Sequence, residues 1–458
     1  MVFSSILFIF RFLPIAMILY FLTPNKFKNL TLLGVSLVFY SWGEPKYFLI
    51  MLASIFVDYL VSRGIEKYRK SKNISIIFLF ISILFNLGML FFFKYFNFFL
   101  ENINNILGIS LKYVEITLPL GISFYTFQTM SYTIDVFLGK VKAEKNIVNF
   151  GAFVCLFPQL IAGPIVKYTD INVALKNRKV DIYIIQEGIK LFILGLGSKV
   201  IIANNIGSLW SEIEAKGFSE IGTVIAWISI LAFAFQIYFD FNGYSLMAIG
   251  LGKILGFDFP RNFNYPYISR SITEFWRRWH ITLGSWFREY VYIPLGGNRV
   301  GRLRLYINLF IVWVLTGFWH GASYNFILWG IYFFMLISIE KAGLLRFLEK
   351  NKIISHIYSI FFIIIGWAIF AVVDIEQLKI LLQRMFTINI DNEWIYYIRN
   401  YGITFIIATL FSTPIIKRIY NKFIKNDILN TIILITIFLL CIAYLVDATY
   451  NPFLYFRF

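Results

Sequence analysis

The chain is 458 residues long, 59% hydrophobic and 20% aromatic, and only 15% of it is charged. A soluble domain averages about 45–50% apolar and about 25% charged residues, so this composition excludes a string of soluble domains. The net charge of +17 does not mark a nucleic-acid binder, because Lys and Arg collect in short stretches between apolar runs, as in the cytoplasmic loops of membrane proteins.

The apolar residues gather in runs of about 17–25, the length that crosses roughly 30 Å of hydrocarbon as helix. In chain order the predicted spans are 3–22, 30–43, 47–62, 74–97, 117–138, 147–166, 182–206, 220–255, 304–321, 325–340, 353–373, 400–416 and 428–447. The first lacks a basic start and a small-residue cleavage site, and reads as a retained helix rather than a signal peptide. The run 220–255 exceeds one ordinary span and is expected to bend at Gly243 or to end near Gly256. No repeat, linker or low-complexity stretch interrupts the chain, which reads as one domain over 1–458. Cys155 and Cys441 lie in apolar runs and point to neither a disulfide framework nor a metal cage.

Charge orients the bundle. Segments 63–73, 139–146, 341–352 and 417–427 are basic and expected inside, whereas 207–220 and 374–399 carry a slight acidic excess and read as outside. Strict alternation fails at 147–166, which separates two basic segments. It contains Pro158, Gly163 and Pro164, which break helical hydrogen bonding, so it is expected to be re-entrant. About twelve crossings then remain, with every basic loop inside.

Residues 256–304 stop resembling a span but stay aromatic. Over 268–293, Ile272, Phe275, Trp276, Trp279, Leu283, Trp286, Phe287 and Tyr290 recur at helical spacing, interspersed with Arg277, Arg278, Arg288 and Glu289. This pattern reads as an amphipathic interfacial helix at headgroup level, and residues 269–274 as its N-terminal cap. Anchoring accounts for most of these residues, but less well for His280.

The chain has three histidines. In a helix entering near Arg304, His320 lies roughly 24 Å along the axis at 1.5 Å per residue, past the midplane but within the hydrocarbon. An ionisable group there is a functional-site candidate; the alternative is a neutral histidine hydrogen-bonded between helices. Gly317 and Gly321 flank it and leave room for backbone or substrate. His356 begins a span beside basic residues and reads as interfacial.

There is no Gly-rich phosphate loop after a strand, no metal-ligand spacing and no GxSxG elbow. What remains is a desolvated histidine able to take a proton near neutral pH. Acyl transfer from a thioester to a hydroxyl needs such a base. The chemistry permits that reaction without selecting it.

RSITEFWRRWHITLGSWFREYVYIPLGGNR (270–299) and TGFWHGASYNFILWG (316–330), with LPLGISFYTFQTMSYTIDV (118–136), FPQLIAGPIVKY (157–168), QIYFDFNGYSLMAIG (236–250) and NPFLYFRF (451–458), carry a likeness over essentially the whole chain. The chain resembles the membrane-bound O-acyltransferase family in its bacterial alginate O-acetylase branch. That resemblance implies an all-α polytopic membrane protein, with eleven or twelve transmembrane helices around a central funnel and with re-entrant and interfacial helices. His320 matches the family's essential histidine, taken as the general base, and His280 its second histidine. Asp240, Asn242, Trp319, Trp279, Arg277 and Arg278 become candidates for contacting substrate or lining the tunnel.

The resemblance further implies a cytoplasmic thioester donor, acetyl-CoA or another acyl thioester, with no permanently bound cofactor and no metal. It implies an extracytoplasmic acetyltransferase or esterase-like partner, and a cell-surface or cell-wall polysaccharide as acceptor. The location implied is the bacterial cell membrane. A composition heavy in Ile, Lys, Asn, Phe and Tyr fits an AT-rich bacterial genome. Two departures weaken the likeness locally. Related sequences read FDFSGYSDMAIG where this chain has Asn242 and Leu246, and they often carry a histidine where it has Tyr332–Phe333. Two other functions stand beside O-acetylation: D-alanyl transfer to teichoic acid from a carrier-protein thioester, and a transporter or channel.

Overall fold

The computed structural model describes residues 2–447, apart from 162, 390 and 424–425, together with residue 454. Of the motif at 451–458, all but Leu454 lies outside the described residues. Every regular element among the described residues is helical, as expected of a chain whose backbone must satisfy its own hydrogen bonds in lipid.

Eight described helices are long and apolar enough to cross a membrane, or nine if Trp394–Phe411 and Ile415–Phe423, bent by 76°, form one span. That is fewer than the eleven or twelve expected, and the difference lies in shorter pieces. Phe8–Leu22, Lys28–Gly43 and Ile122–Phe137 fall short of 18 residues. The segment 147–166 contains Ile147–Cys155 and Phe157–Leu160, separated at Leu156, whose ψ of 110° leaves the helical region just before Pro158. It holds no single spanning helix.

The chain forms two compact units, residues 1–192 with 247–260, and residues 193–246 with 261–458. In the first, helices Phe48–Lys67, Lys72–Leu90 and Ile122–Phe137 enclose a buried carboxylate. Asp58 accepts hydrogen bonds from Ser82 Oγ at 2.5 Å and Asn86 Nδ2 at 2.8 Å, while Thr129 donates to Asn86 Oδ1 at 3.0 Å. Neutral donors thus satisfy an acid that lipid would exclude.

Helix Thr223–Ile254 runs unbroken for 32 residues, so the expected bend at Gly243 is not there. The missing side chain serves close packing instead. A Cβ at Gly243 would lie 2.7 Å from the Gly195 carbonyl oxygen. The expected end near Gly256 is found, at a φ of +84°, which only glycine adopts readily.

In the second unit, helices Arg302–His320 and Tyr324–Ile339 form a hairpin. Gly317 and Gly330 meet across it, and a Cβ on Gly317 would collide with the Phe326 carbonyl oxygen. Small residues let helix backbones approach where no hydrophobic force drives them together. The room expected beside His320 is therefore filled by the neighbouring helix at Gly317 and by the Phe326 ring at Gly321.

Replacing Gly317 by leucine should overpack this hairpin and cost about 1–3 kcal/mol or more. The expected reading is a lower melting temperature in detergent and less protein in the membrane. Gly88→Ala, where a Cβ meets nothing within 4 Å, should leave both unchanged.

Candidate active site

The predicted interfacial helix over 268–293 is not continuous. It forms two short helices, Ile272–Arg278 and Ile281–Phe287, followed by a wide turn at Arg288–Tyr292. The break falls at Trp279 and His280, and His280 has the left-handed values φ +43° and ψ +54°. A break in a buried helix frees backbone groups that must find partners. Residues 262–264 run alongside and supply them: Asn264 N donates to Arg278 O, and Ile281 N to Asn262 O, both at 2.9 Å. The helical periodicity was genuine on either side, but nothing in it marks the change of direction at the histidine.

The start of Ile272–Arg278 is fastened twice. Ser271 caps it, accepting from Glu274 N at 3.0 Å. The fully buried Glu340 accepts from Ile272 N at 2.6 Å, Thr273 N at 2.9 Å and Thr273 Oγ1 at 2.6 Å. An acceptor carboxylate at a helix N-terminus meets both the unpaired N–H groups and the positive end of the dipole.

This fastening aims Phe275 and Trp279 inward, one turn apart. Trp276 packs edge-on against Trp313 at 5.0 Å, Trp329 at 5.2 Å and Phe333 at 4.9 Å, and so ties the short helix to the hairpin. Phe333 is part of this aromatic packing, against Trp313 and Trp329 as well.

His320 is the last residue of Arg302–His320 and is 8% exposed. Its ring meets Trp329 and Phe370 edge-on at 5.2 Å and Trp319 at 5.0 Å. With Asp240, Trp279, Trp367 and Leu454 among the other walls, it lines a cavity of about 20 Å³. That is room for little more than one water molecule, which needs roughly 10–15 Å³ on the same scale. His320 therefore faces neither lipid nor a solid core.

Asp240 is held by partners that the sequence did not single out. Its Oδ1 pairs with Lys199 Nζ at 2.8 Å, and its Oδ2 accepts from Leu454 N at 2.9 Å. Lys199 also donates to Asn204 Oδ1 at 2.8 Å. Lys199 and Asn204 belong to a widened helical turn, Ser198–Asn204, of a kind frequent at functional sites. Lys199 did carry a signal, as a cation inside a predicted span.

Among the remaining candidates, Trp279 lines the cavity; Trp319 is buried beside both imidazoles, with its ring 6.1 Å from that of His280, but is not part of the wall. Asn242 is half-buried and is not among the lining residues. Arg277 and Arg278 do not line the cavity either, because inward-facing Phe275 and Trp279 turn them to the opposite side of the short helix. Arg277 is exposed, and Arg278 is spent on Glu274 at 2.8 Å and on the Asn264 carbonyl at 3.1 Å. His356 approaches the Ser269 carbonyl at 3.1 Å, away from the cavity.

His280 is 2% exposed, and burial alone pushes its pKa down to about 3. Its ring stands edge-on to Phe241, a cavity wall residue, at 4.7 Å. The arrangement is therefore one imidazole, His320, in the wall of a small aromatic chamber and a second, His280, just behind it, with an anchored carboxylate in the same wall.

Comparison with known proteins follows the same residues. The model of MBOAT, the membrane-bound O-acyltransferase family, matches residues 140–375. A probable alginate O-acetylase of Pseudomonas aeruginosa is 39% identical over 84% of this chain and 75% of its own length. A peptidoglycan O-acetyltransferase of Helicobacter pylori is 34% identical, over 85% of this chain and 80% of its own. A teichoic acid D-alanyltransferase of Bacillus subtilis is 28% identical, over 55% and 68%.

Removing Lys199 alone should strand the buried Asp240 charge and cost about 3–5 kcal/mol. Lys199→Met is expected to melt well below the parent in detergent, and Lys199→Met with Asp240→Leu to recover most of the loss. Equal melting of the single and double variants would remove the ion pair from the account of the chamber.

Proposed function

This chain belongs to the membrane-bound O-acyltransferase family, and on that premise we propose that it moves an acetyl group from a cytoplasmic acyl thioester through the membrane to hydroxyls of a surface polysaccharide. It is a multi-pass integral membrane acyltransferase. The observation that carries the finer reading is His320, buried at a helix end yet lining a cavity. The relatives named as acetylating alginate and peptidoglycan support acetyl as the group and a polysaccharide as the final acceptor.

In this reading the imidazole of His320 takes the proton from an attacking hydroxyl as its oxygen bonds to the thioester carbonyl carbon. The tetrahedral intermediate collapses with loss of the C–S bond, and the departing thiolate recovers the proton. Base assistance of this kind contributes about 10²–10⁴-fold. The aromatic walls leave room for little more than one water molecule, which limits hydrolysis of the thioester and disfavours a long acyl chain at this point. Acetyl-CoA or another acyl thioester is the donor, and the attacking hydroxyl belongs to a separate extracytoplasmic esterase-like protein, which carries the group as an ester and passes it to the polymer. D-alanyl transfer is the less favoured reading, because the D-alanyltransferase relatives match a smaller share of the chain.

His320→Ala should abolish polymer acetylation, a loss on the order of 10²-fold or more, with membrane abundance unchanged. The measurement is mass analysis of ester-linked groups on surface polysaccharide from cells carrying the parent or the variant. D-alanyl esters in place of acetyl would move the assignment to the teichoic acid reaction. Full acetylation by the variant would end the proposed role of His320.

A further inference from the structure

Asn262 comes from no motif, yet it is the most heavily bonded side chain around the helix break. It is 1% exposed. Its Oδ1 receives Thr282 N at 3.3 Å and Thr282 Oγ1 at 3.0 Å, and lies 3.0 Å from His280 Nδ1. Its Nδ2 donates to Ser245 Oγ at 3.1 Å.

A backbone N–H can only donate, so the atom facing Thr282 N is the amide oxygen and not the nitrogen. That oxygen has no proton to give. The His280 nitrogen beside it must therefore be the one that carries hydrogen. In a neutral imidazole the second nitrogen is then a bare acceptor. Nε2 is fully buried and has no hydrogen-bond partner among the described residues, although buried polar atoms are nearly always paired.

The backbone holds the ring to this orientation. Residue 280 sits at φ +43°, a conformation that persists only where its surroundings fix it. The Asn262 carbonyl accepts from the next residue, Ile281 N, at 2.9 Å. Main chain and side chain of Asn262 thus grip the histidine ring and the two residues that follow it.

We propose that Asn262 is a positioning residue that fixes His280 as the Nδ1–H tautomer, so that Nε2, behind the Phe241 wall of the chamber, is held as a proton or hydrogen-bond acceptor and never as a donor. The tautomer stands on the hydrogen-bond geometry alone; its use in transfer rests on the acyltransferase reading above. Among the titratable groups on the elements packed against His280, Asp240, paired with Lys199, and His320 line the chamber.

The test uses the full chain in lipid discs with ¹⁵N-labelled histidine. Three histidines give a spectrum simple enough for a His280→Asn variant to assign the His280 pair. The expected result is a protonated Nδ1 and a bare Nε2. Asn262→Leu should mix or invert the tautomers and lower acetyl transfer, on the order of 10²-fold, at unchanged membrane abundance. Asn262→Asp keeps an acceptor oxygen, so it should retain Nδ1–H and transfer more than the leucine variant. Its carboxylate favours the charged imidazole, so the acid limb of its pH–rate profile should move to higher pH.

A proton on Nε2 in the parent protein would overturn the proposal, as would an unchanged His280 spectrum in Asn262→Leu. If the spectra come out as expected but the parent transfers no acetyl group, the tautomer stands and the acyltransferase reading fails.

Discussion

The constraint on which this structure turns is that a backbone leaving helical geometry inside a membrane protein must be bonded by something other than water. Around the chamber buried polar side chains share that task with neighbouring main chain. Glu340 takes the N–H groups that open Ile272–Arg278, and Asn262 takes the Thr282 N–H just past the break. Asn325 Nδ2 donates to the carbonyls of Ile369 and Phe370 at 3.2 Å, near the end of helix Lys352–Ala371. The irregular backbone is what brings Trp279 and His320 to one cavity, and these side chains are what make it tolerable. The site is therefore built from helix ends rather than helix faces.

How much of this was legible follows from which signals are periodic. Apolar length located the hairpin closely: 304–321 and 325–340 were expected, and Arg302–His320 and Tyr324–Ile339 are found. His320 stood out because an ionisable group inside a span is rare. The continuous helix over 268–293 was misread because two short helices in sequence keep the same apolar spacing that one long helix would have. The turn between them is set by Asn262, eighteen positions before His280, and periodicity carries no information about such a partner.

Arg277 and Arg278 failed as wall residues for a related reason. Motif adjacency groups RRWH together, but a helix distributes consecutive residues around its axis, and only Trp279 of that run reaches the cavity. Lys199 was missed in the opposite sense, since its place inside a predicted span was informative by itself. The pair it forms with Asp240 also explains how an acidic residue can stand in this wall without a partner on its own helix.

The left-handed backbone at position 280 has a consequence for which side chains the site can accept. A β-branched or bulky apolar residue is strongly disfavoured there, and alanine is penalised by its Cβ, whereas asparagine visits that conformation with comparative ease. A loss of function after alanine replacement therefore mixes two injuries, the missing ring and a relaxed main chain. Asparagine separates them, because it preserves the bend while withdrawing the imidazole. The geometry thus narrows the alphabet at this position before chemistry makes any choice of its own.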